Sequence, residues 1–261
     1  MTDDFIAGTA QLACLLEASA PKPGNVSPGK HFPDARYQDF LASAVAIGPA
    51  FTADRPLGEM IHAAIKATTQ WTRSNTNLGI VLLLAPLARA ARTKRSLHNV
   101  LANTTVDDAR EVYTAIRLAR PGGLGTAAEE DVAGEPSVTL TEAMRLAADR
   151  DSIAAEYVTD YRITFDIGAP ALIGSLELGW EEATVRTYLT LLSEIPDTLI
   201  RRKHGAAVAE HVSRSAKKVL AGGPEDRIVF DQQLRADGLN PGTTADLTAA
   251  ALYFALLSRL W

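Results

Sequence analysis

Cys14 is the only cysteine among the 261 residues of this chain, so neither an internal disulfide nor a cysteine metal cluster is open to it. The thiol lies among Leu12, Leu15 and Leu16 and reads as a small buried hydrophobe without chemistry. No long apolar run is present. The longest, Gly79 to Ala88, falls far short of the roughly 20 residues that span a bilayer, and Met1-Thr2-Asp3-Asp4-Phe5 lacks a basic leader, so a cytoplasmic protein with no membrane partner is expected. Net positive charge is missing as well. At −5 the chain offers no basic face for sequence-independent binding of nucleic acid, and any anionic ligand must be met by local cations or by a metal. Low-complexity linkers, internal repeats and runs of alternating apolar and polar residues are also absent, which argues against strands and for one domain over residues 1–261.

The periodicity is helical almost throughout. Residues 4–19 place Leu12, Leu15, Leu16 and Ser19 on one stripe, with Glu17 in the last turn, where the helix dipole disfavours a carboxylate. Helices are predicted over Phe40 to Ile47, ended by Gly48-Pro49, and over Leu57 to Thr72, with Ile61, Ala64, Ile65 and Thr68 inward. Ile80 to Ala88 predicts a helix buried on all sides and kinked at Pro86. Capping boxes at Thr105–Asp108 and Thr139–Glu142 open two more, to about Ala119 and about Tyr161, the second with a break near Asp151. Further helices are expected near 163–178, 181–194, 197–221, 225–236 and Thr244 to Leu260, the last opened by a box from Thr243 to Asp246. The fold class is therefore all-α, a single-domain bundle of about ten helices around a central apolar helix, with an active-site cleft lined by Pro/Gly-rich turns. The irregular stretch Pro121 to Ser137 suits a lid, or less well a domain boundary. An exposed end at Trp261 and an amphipathic last helix leave room for a homodimer.

Four polar segments interrupt these helices. Pro21-Lys22-Pro23-Gly24-Asn25-Val26-Ser27-Pro28-Gly29 holds its residues out of helical geometry, while Gly24 and Gly29 can take positive φ; Lys22 is then carried on a stiff arm. Its bland counterpart is an ordinary Pro/Gly loop. Thr72-Arg73-Ser74-Asn75-Thr76-Asn77-Leu78-Gly79 leads into the apolar helix, whose first N–H groups suit an anion, although an N-cap would account for one of these side chains. Asp197 heads a helix with Arg201, Arg202, Lys203 and His204 one turn on, which suits a metal-bound polyphosphate or simply a solvated basic face capped by Asp197. Asn240-Pro241-Gly242-Thr243-Thr244-Ala245-Asp246 is a rigid polar lead-in to the last helix.

In this order, and with Pro121-Gly-Gly-Leu-Gly125 followed by acidic residues, these motifs resemble the triphosphoribosyl-dephospho-CoA synthase family from about residue 10 to 258. The resemblance implies an all-α enzyme that takes the triphosphoribosyl part of ATP, expels adenine, and joins C1 of the ribose to the 2′-hydroxyl of dephospho-CoA. It implies catalytic carboxylates among Glu17, Asp34, Asp197 and Asp246, with Mg²⁺ held by Glu17 and Asp197. Nucleotide and coenzyme would be bound by Lys22, Gly24, Asn25, Arg73, Asn75, Thr76, Asn77, Arg201, Arg202, Asn240 and Thr243.

The family pattern Thr-Gly-Gly-Val-Asn-Thr-His-Lys-Gly is not kept. Here Thr72-Arg73-Ser74 replaces the glycine pair and Asn77-Leu78 stands where the His-Lys pair is expected, which removes a cation from beside the triphosphate. A divergent branch follows, with donor or acceptor altered. Phosphoribosyl transfer to a pterin coenzyme precursor of the tetrahydromethanopterin type is one alternative, and a non-catalytic nucleotide- or coenzyme-binding protein is another.

Overall fold

In the computed structural model, which describes residues 1–260, the chain divides into two compact units: Met1–Leu15 with Gln38–Tyr161, and Leu16–Tyr37 with everything from Arg162 onward. The dividing points avoid the Pro121 to Ser137 segment. Trp261, invoked for a dimer, lies outside the described residues. The all-α expectation holds: among the described residues the only bridges are two isolated pairs, Ser27 with Lys30 and Phe32 with Ala35.

Nine helices carry the first unit: α1 (Asp3–Ser19, its last turn lying beyond the unit's boundary), α2 (Tyr37–Ala46), α3 (Gly48–Thr52), α4 (Leu57–Thr68), α5 (Leu78–Thr93), α6 (Leu97–Ala102), α7 (Val106–Ala119), α8 (Leu140–Ala147) and α9 (Ser152–Val158). The leucine stripe proposed for α1 is not its buried face. Leu12 is 43% exposed, whereas Ile6, Ala7, Ala10, Ala13, Cys14 and Ala18 are buried, so the helix packs through small residues that permit close approach. Gly48-Pro49 opens α3 rather than ending a helix, because proline is tolerated where the first N–H groups have no helical partner. Both capping boxes form, at Thr105/Asp108 and Thr139/Glu142. The break near Asp151 has a cause: its carboxylate accepts from Ile153 N and Ala154 N and starts α9 anew.

Helix α5 is buried from Ile80 to Ala88, as its composition predicts. Pro86 has no N–H for the carbonyl of Leu82, and Tyr157 Oη donates to that oxygen at 2.7 Å instead. Tyr161 Oη donates to Leu83 O at 2.8 Å. Both tyrosines are wholly buried, and burial pushes their phenols far up, so they act as neutral donors. The supposed lid is fastened to α7, since Tyr113 Oη donates to Glu130 O at 2.6 Å and Arg117 Nη1 to Val132 O at 2.7 Å.

The second unit holds α10 (Ala169–Ile173), α11 (Trp180–Glu194), α12 (Thr198–His204), α13 (Ala206–Ala221), α14 (Pro224–Ala236) and α15 (Gly242–Leu257). Two helices expected to be continuous are broken. The segment expected over 163–178 is a π-turn at Thr164–Gly168, then α10, then a 3₁₀ turn at Leu176–Leu178. Residues 197–221 divide at Gly205, whose φ of 94° no helix admits. The last helix is not amphipathic. Ala249 to Tyr253 are fully buried in α15, so it is the central apolar helix of its unit, as α5 is of the other, and it presents no apolar stripe to a second copy. A core of Val185, Tyr188, Leu192, Ile200, Val212 and Leu234 packs beneath the Pro21–Gly29 loop through Ala20.

Candidate functional site

The loop from Pro21 to Lys30 is shaped by its own sequence. Gly24 has φ of 72° and Gly29 of 75°, values that glycine adopts without strain. Pro28-Gly29 makes a two-residue turn, closed by Ser27 N to Lys30 O at 3.0 Å and Lys30 N to Ser27 O at 2.9 Å. Pro33-Asp34 makes a second, between Phe32 and Ala35, and leaves Asp34 exposed. Although it is a loop, Lys22, Asn25, Val26 and Ser27 are buried, and the hydroxyl of Ser27 has no hydrogen-bond partner.

Lys22 is not held out on an arm. Its ammonium turns back on the end of α1, where it donates to Glu17 O and, at 3.3 Å, to Ala20 O, and lies 2.9 Å from Glu17 Oε1. That last approach is an ion pair, and Glu17 Oε1 has no hydrogen-bond partner. Burial pushes the Glu17 carboxyl above its ordinary value, and the Lys22 charge opposes the shift. The misplaced carboxylate in the last turn of α1 is thereby explained: it meets a lysine that also caps the helix's terminal carbonyl.

Three residues unmarked by sequence reasoning secure the loop. Asp231 on α14 accepts from Gly24 N at 2.8 Å through Oδ1 and from Lys30 Nζ at 2.6 Å through Oδ2. Arg235, one turn later, donates Nε to Asp231 Oδ1 at 2.9 Å and Nη2 to Asn25 O. Tyr188 on α11 donates to Pro23 O at 2.7 Å. Burial raises the Asp231 carboxyl, but Lys30, the Gly24 N–H and Arg235 outweigh it and hold the group below the usual aspartate range. The i,i+4 spacing of Asp231 and Arg235 was visible, yet nothing in it names a partner some two hundred residues earlier.

The other two motifs of this unit meet the loop. Asn25 Nδ2 donates to Asn240 Oδ1 at 2.9 Å. Asp197 caps α12 through Oδ1 to Ile200 N at 2.9 Å, and its Oδ2 accepts both Thr244 N and Thr244 Oγ1 at 2.8 Å. Thr198 Oγ1 adds a contact to Thr243 Oγ1 at 3.2 Å. Burial pushes Asp197 up, while its donors pull it down; the net shift is upward. The box expected from Thr243 to Asp246 does not form, because α15 begins earlier, at Gly242, and Asp246 sits half-buried in its second turn. Arg201 is exposed and Arg202 half-buried in the last turn of α12, where cations suit the helix dipole.

Within the first unit, the Thr72–Gly79 turn is internally bonded. Thr76 Oγ1 lies 2.5 Å from Ser43 Oγ, Asn77 Nδ2 donates to Thr68 Oγ1 at 3.1 Å, and Asn75 Oδ1 accepts from Leu78 N, the first N–H of α5, at 3.1 Å, while Asn77 at the N-cap position makes no side-chain cap. Thr76 and Asn77 are buried, whereas Arg73 and Asn75 face solvent. This unit also contains a cavity of about 650 Å³ between α4, α5, α6 and α7, whose walls include Arg89, Asn99, Thr105 and Arg110 but none of the candidate residues.

Chemically, the loop, the Asp197 cap and the Asn240 turn make one polar network that fixes backbone positions, with the Ser27 hydroxyl left unmatched. Glu17 and Asp197 do not fit as Mg²⁺ ligands: one is neutralised by Lys22, and the other has both oxygens occupied by N–H and O–H donors. Among the described residues no three His, Cys, Asp or Glu side chains are grouped to hold a metal ion. Asp34 and Asp246 keep contact with solvent. No helix of the described residues is long and apolar enough to cross a membrane.

A family model described as ATP:dephospho-CoA triphosphoribosyl transferase matches residues 3–261. A 2-(5''-triphosphoribosyl)-3'-dephosphocoenzyme-A synthase from Pectobacterium atrosepticum is 27% identical over 234 residues, which cover 84% of this chain and 70% of that protein. A relative from Pectobacterium carotovorum, assigned the same activity, is 29% identical with the same coverage. The crystal structure of a protein from Archaeoglobus fulgidus, assigned as triphosphoribosyl-dephospho-CoA synthase, superposes with a TM-score of 0.71 at 32% identity, over 85% of this chain and 98% of that one.

Proposed function

Because the chain belongs to the ATP:dephospho-CoA triphosphoribosyl transferase family, and is thus a transferase, we propose that it moves the triphosphoribosyl group of ATP to a hydroxyl of dephospho-CoA or a related coenzyme precursor, with release of adenine. The observation that carries this reading is one family match running through all the polar motifs, from residue 3 to 261. The same match, over residues 3–261, supports treating the chain as one functional domain.

In the reaction the bond from ribose C1 to adenine breaks and a bond from C1 to the acceptor oxygen forms. The acceptor hydroxyl gives its proton to a base, and the departing adenine takes one up. A transition state of oxocarbenium character gains from a nearby carboxylate. Asp246 and Asp34, which solvent reaches, suit the base; Glu17 and Asp197, sealed and bonded, suit the support of the loop and of the α12–α15 junction. Arg201 and Arg202 suit the triphosphate, as planar donors that grip phosphate in bidentate fashion. Gly24, Asn25, Asn240 and Thr243, all in the second unit, shape the surface the nucleotide meets. Mg²⁺ is assigned no protein ligand and no step.

The test is direct. Purified protein is incubated with Mg–ATP and dephospho-CoA, and free adenine is measured against consumption of the acceptor. Equal release of adenine and loss of dephospho-CoA is expected. Adenine released only with a pterin acceptor would move the reading to that alternative, and ATP binding without adenine under every acceptor would make the protein a binding protein.

A further inference from the structure

Resting on the transfer reading above and deepening it, we infer that Asp231 and Arg235 are positioning residues of the reaction, which fix the peptide planes of Gly24 and Asn25. One carboxylate holds the loop at two points, Gly24 N at 2.8 Å and Lys30 Nζ at 2.6 Å. Between them Arg235 holds Asn25 O, and its guanidinium lies 5.7 Å from the centre of the Phe32 ring. With its main chain gripped in this way, Asn25 directs its amide to Asn240 at 2.9 Å, in the motif that opens α15.

Two features separate this arrangement from ordinary fastening of a loop. The loop already closes through its own turn at Ser27 and Lys30, and an apolar side chain at 231 would anchor it without removing a carboxylate and a guanidinium from water. Charged groups with fixed hydrogen-bond directions define the orientation of a peptide plane, which apolar packing does not. The fit is also intolerant: a Cβ on Gly24 would lie 2.7 Å from Leu234 Cδ1 on the same helix. The Asp231 carboxyl is held below its usual range, so it stays a charged acceptor across the working pH.

The experiment uses the full chain and two readouts. Asp231→Asn keeps the shape and an acceptor oxygen but loses the charge; Arg235→Gln loses the bond to Asn25 O. Hydrogen exchange over residues 21–30 is expected to quicken tenfold or more in both variants while α15 keeps its protection. In adenine release, kcat is expected to fall about tenfold or more with KM for ATP changed by less than about threefold, as misplacement of a reacting geometry demands. Phe230→Leu, a core change in the same helix, supplies a variant matched for melting temperature, and Gln233→Ala an exposed one that leaves activity unchanged. Unchanged exchange in both variants overturns the proposal, as does a kcat loss that Phe230→Leu reproduces at equal melting temperature. If the unaltered protein releases no adenine with any acceptor, the transfer reading fails, and the exchange result alone decides whether these residues hold the loop.

Discussion

Lys22 Nζ lies 2.9 Å from Glu17 Oε1, and the two side chains are 0% and 2% exposed. Removing one partner strands a buried charge, whereas removing both does not. Lys22→Met is therefore expected to cost about 3–5 kcal/mol, and Glu17→Gln with Lys22→Met to recover much of that. Denaturant unfolding of the single and double variants checks it. If Lys22 served only to bind phosphate, Lys22→Met would leave the unfolding midpoint in place and raise KM for ATP alone.

Acid and base should act on Glu17 and Asp231 with opposite signs. Glu17 has its folded pKa raised by burial, so its contribution is greatest below the ordinary glutamate value of about 4.3 and is lost as pH rises through the raised one. Asp231 is depressed by Lys30, Gly24 and Arg235, so its contribution is present above the ordinary aspartate value of about 3.9 and is lost as pH falls. Unfolding free energies measured from pH 3 to 7 should show Asp231→Asn destabilised at the upper end and converging on the unaltered protein at the lower.

Gly24 satisfies two demands at once, a φ of 72° and a Cβ position that would fall 2.7 and 2.9 Å from the Leu234 side chain. Gly24→Ala is expected to lose about 1–3 kcal/mol through strain and overpacking. Leu234→Ala removes the Cδ1 contact but keeps the Cβ at 2.9 Å, so added to Gly24→Ala it should recover only part of the overpacking and nothing of the backbone term, as thermal melts of the pair would show.

The helical class, both capping boxes and the buried run of α5 were legible because each is written in local spacing. The Asp197 cap was also foreseen, as the bland account of that residue. Less legible was direction. Lys22 in a Pro/Gly loop looks presented to solvent, but its four-carbon stem is long enough to return to the helix it follows, and only tertiary burial of Glu17 makes that return favourable. Gly48-Pro49 and Gly205 were ambiguous for a related reason: the same residues that stop one helix begin the next. Asp231 and Arg235 could not be found from spacing, since their partners are set by the packing of α14 against a distant loop.

Tyr157 and Pro86 are coupled through a carbonyl neither of them owns. The proline leaves Leu82 O without its helical donor, and the phenol at 2.7 Å replaces it. Tyr157→Phe is expected to cost about 1–3 kcal/mol for an unsatisfied buried acceptor. Restoring the N–H with Pro86→Ala should reduce the cost of Tyr157→Phe, giving a favourable coupling energy in a double-mutant cycle. Additive losses would mean that the hydroxyl and the proline act independently.

Asp197 and Asp246 stand at the same helix junction and should fail differently. Asp197 ties Ile200 N, Thr244 N and Thr244 Oγ1 with both oxygens, at 2.8 to 2.9 Å. Asp197→Ala leaves those buried donors unmatched, so a loss of about 2–4 kcal/mol is expected, with activity falling in step with the folded fraction. Asp246 is not the N-cap of α15, which opens at Gly242, and it is only half-buried, in contact with solvent. Asp246→Asn is expected to melt within a few degrees of the unaltered protein while adenine release drops by about 10²–10⁴-fold, the range for loss of a general base. The measurement is a melting curve beside a steady-state assay at saturating ATP and dephospho-CoA. A variant with an unchanged rate would remove Asp246 from the chemistry and leave Asp34 as the carboxylate to replace next.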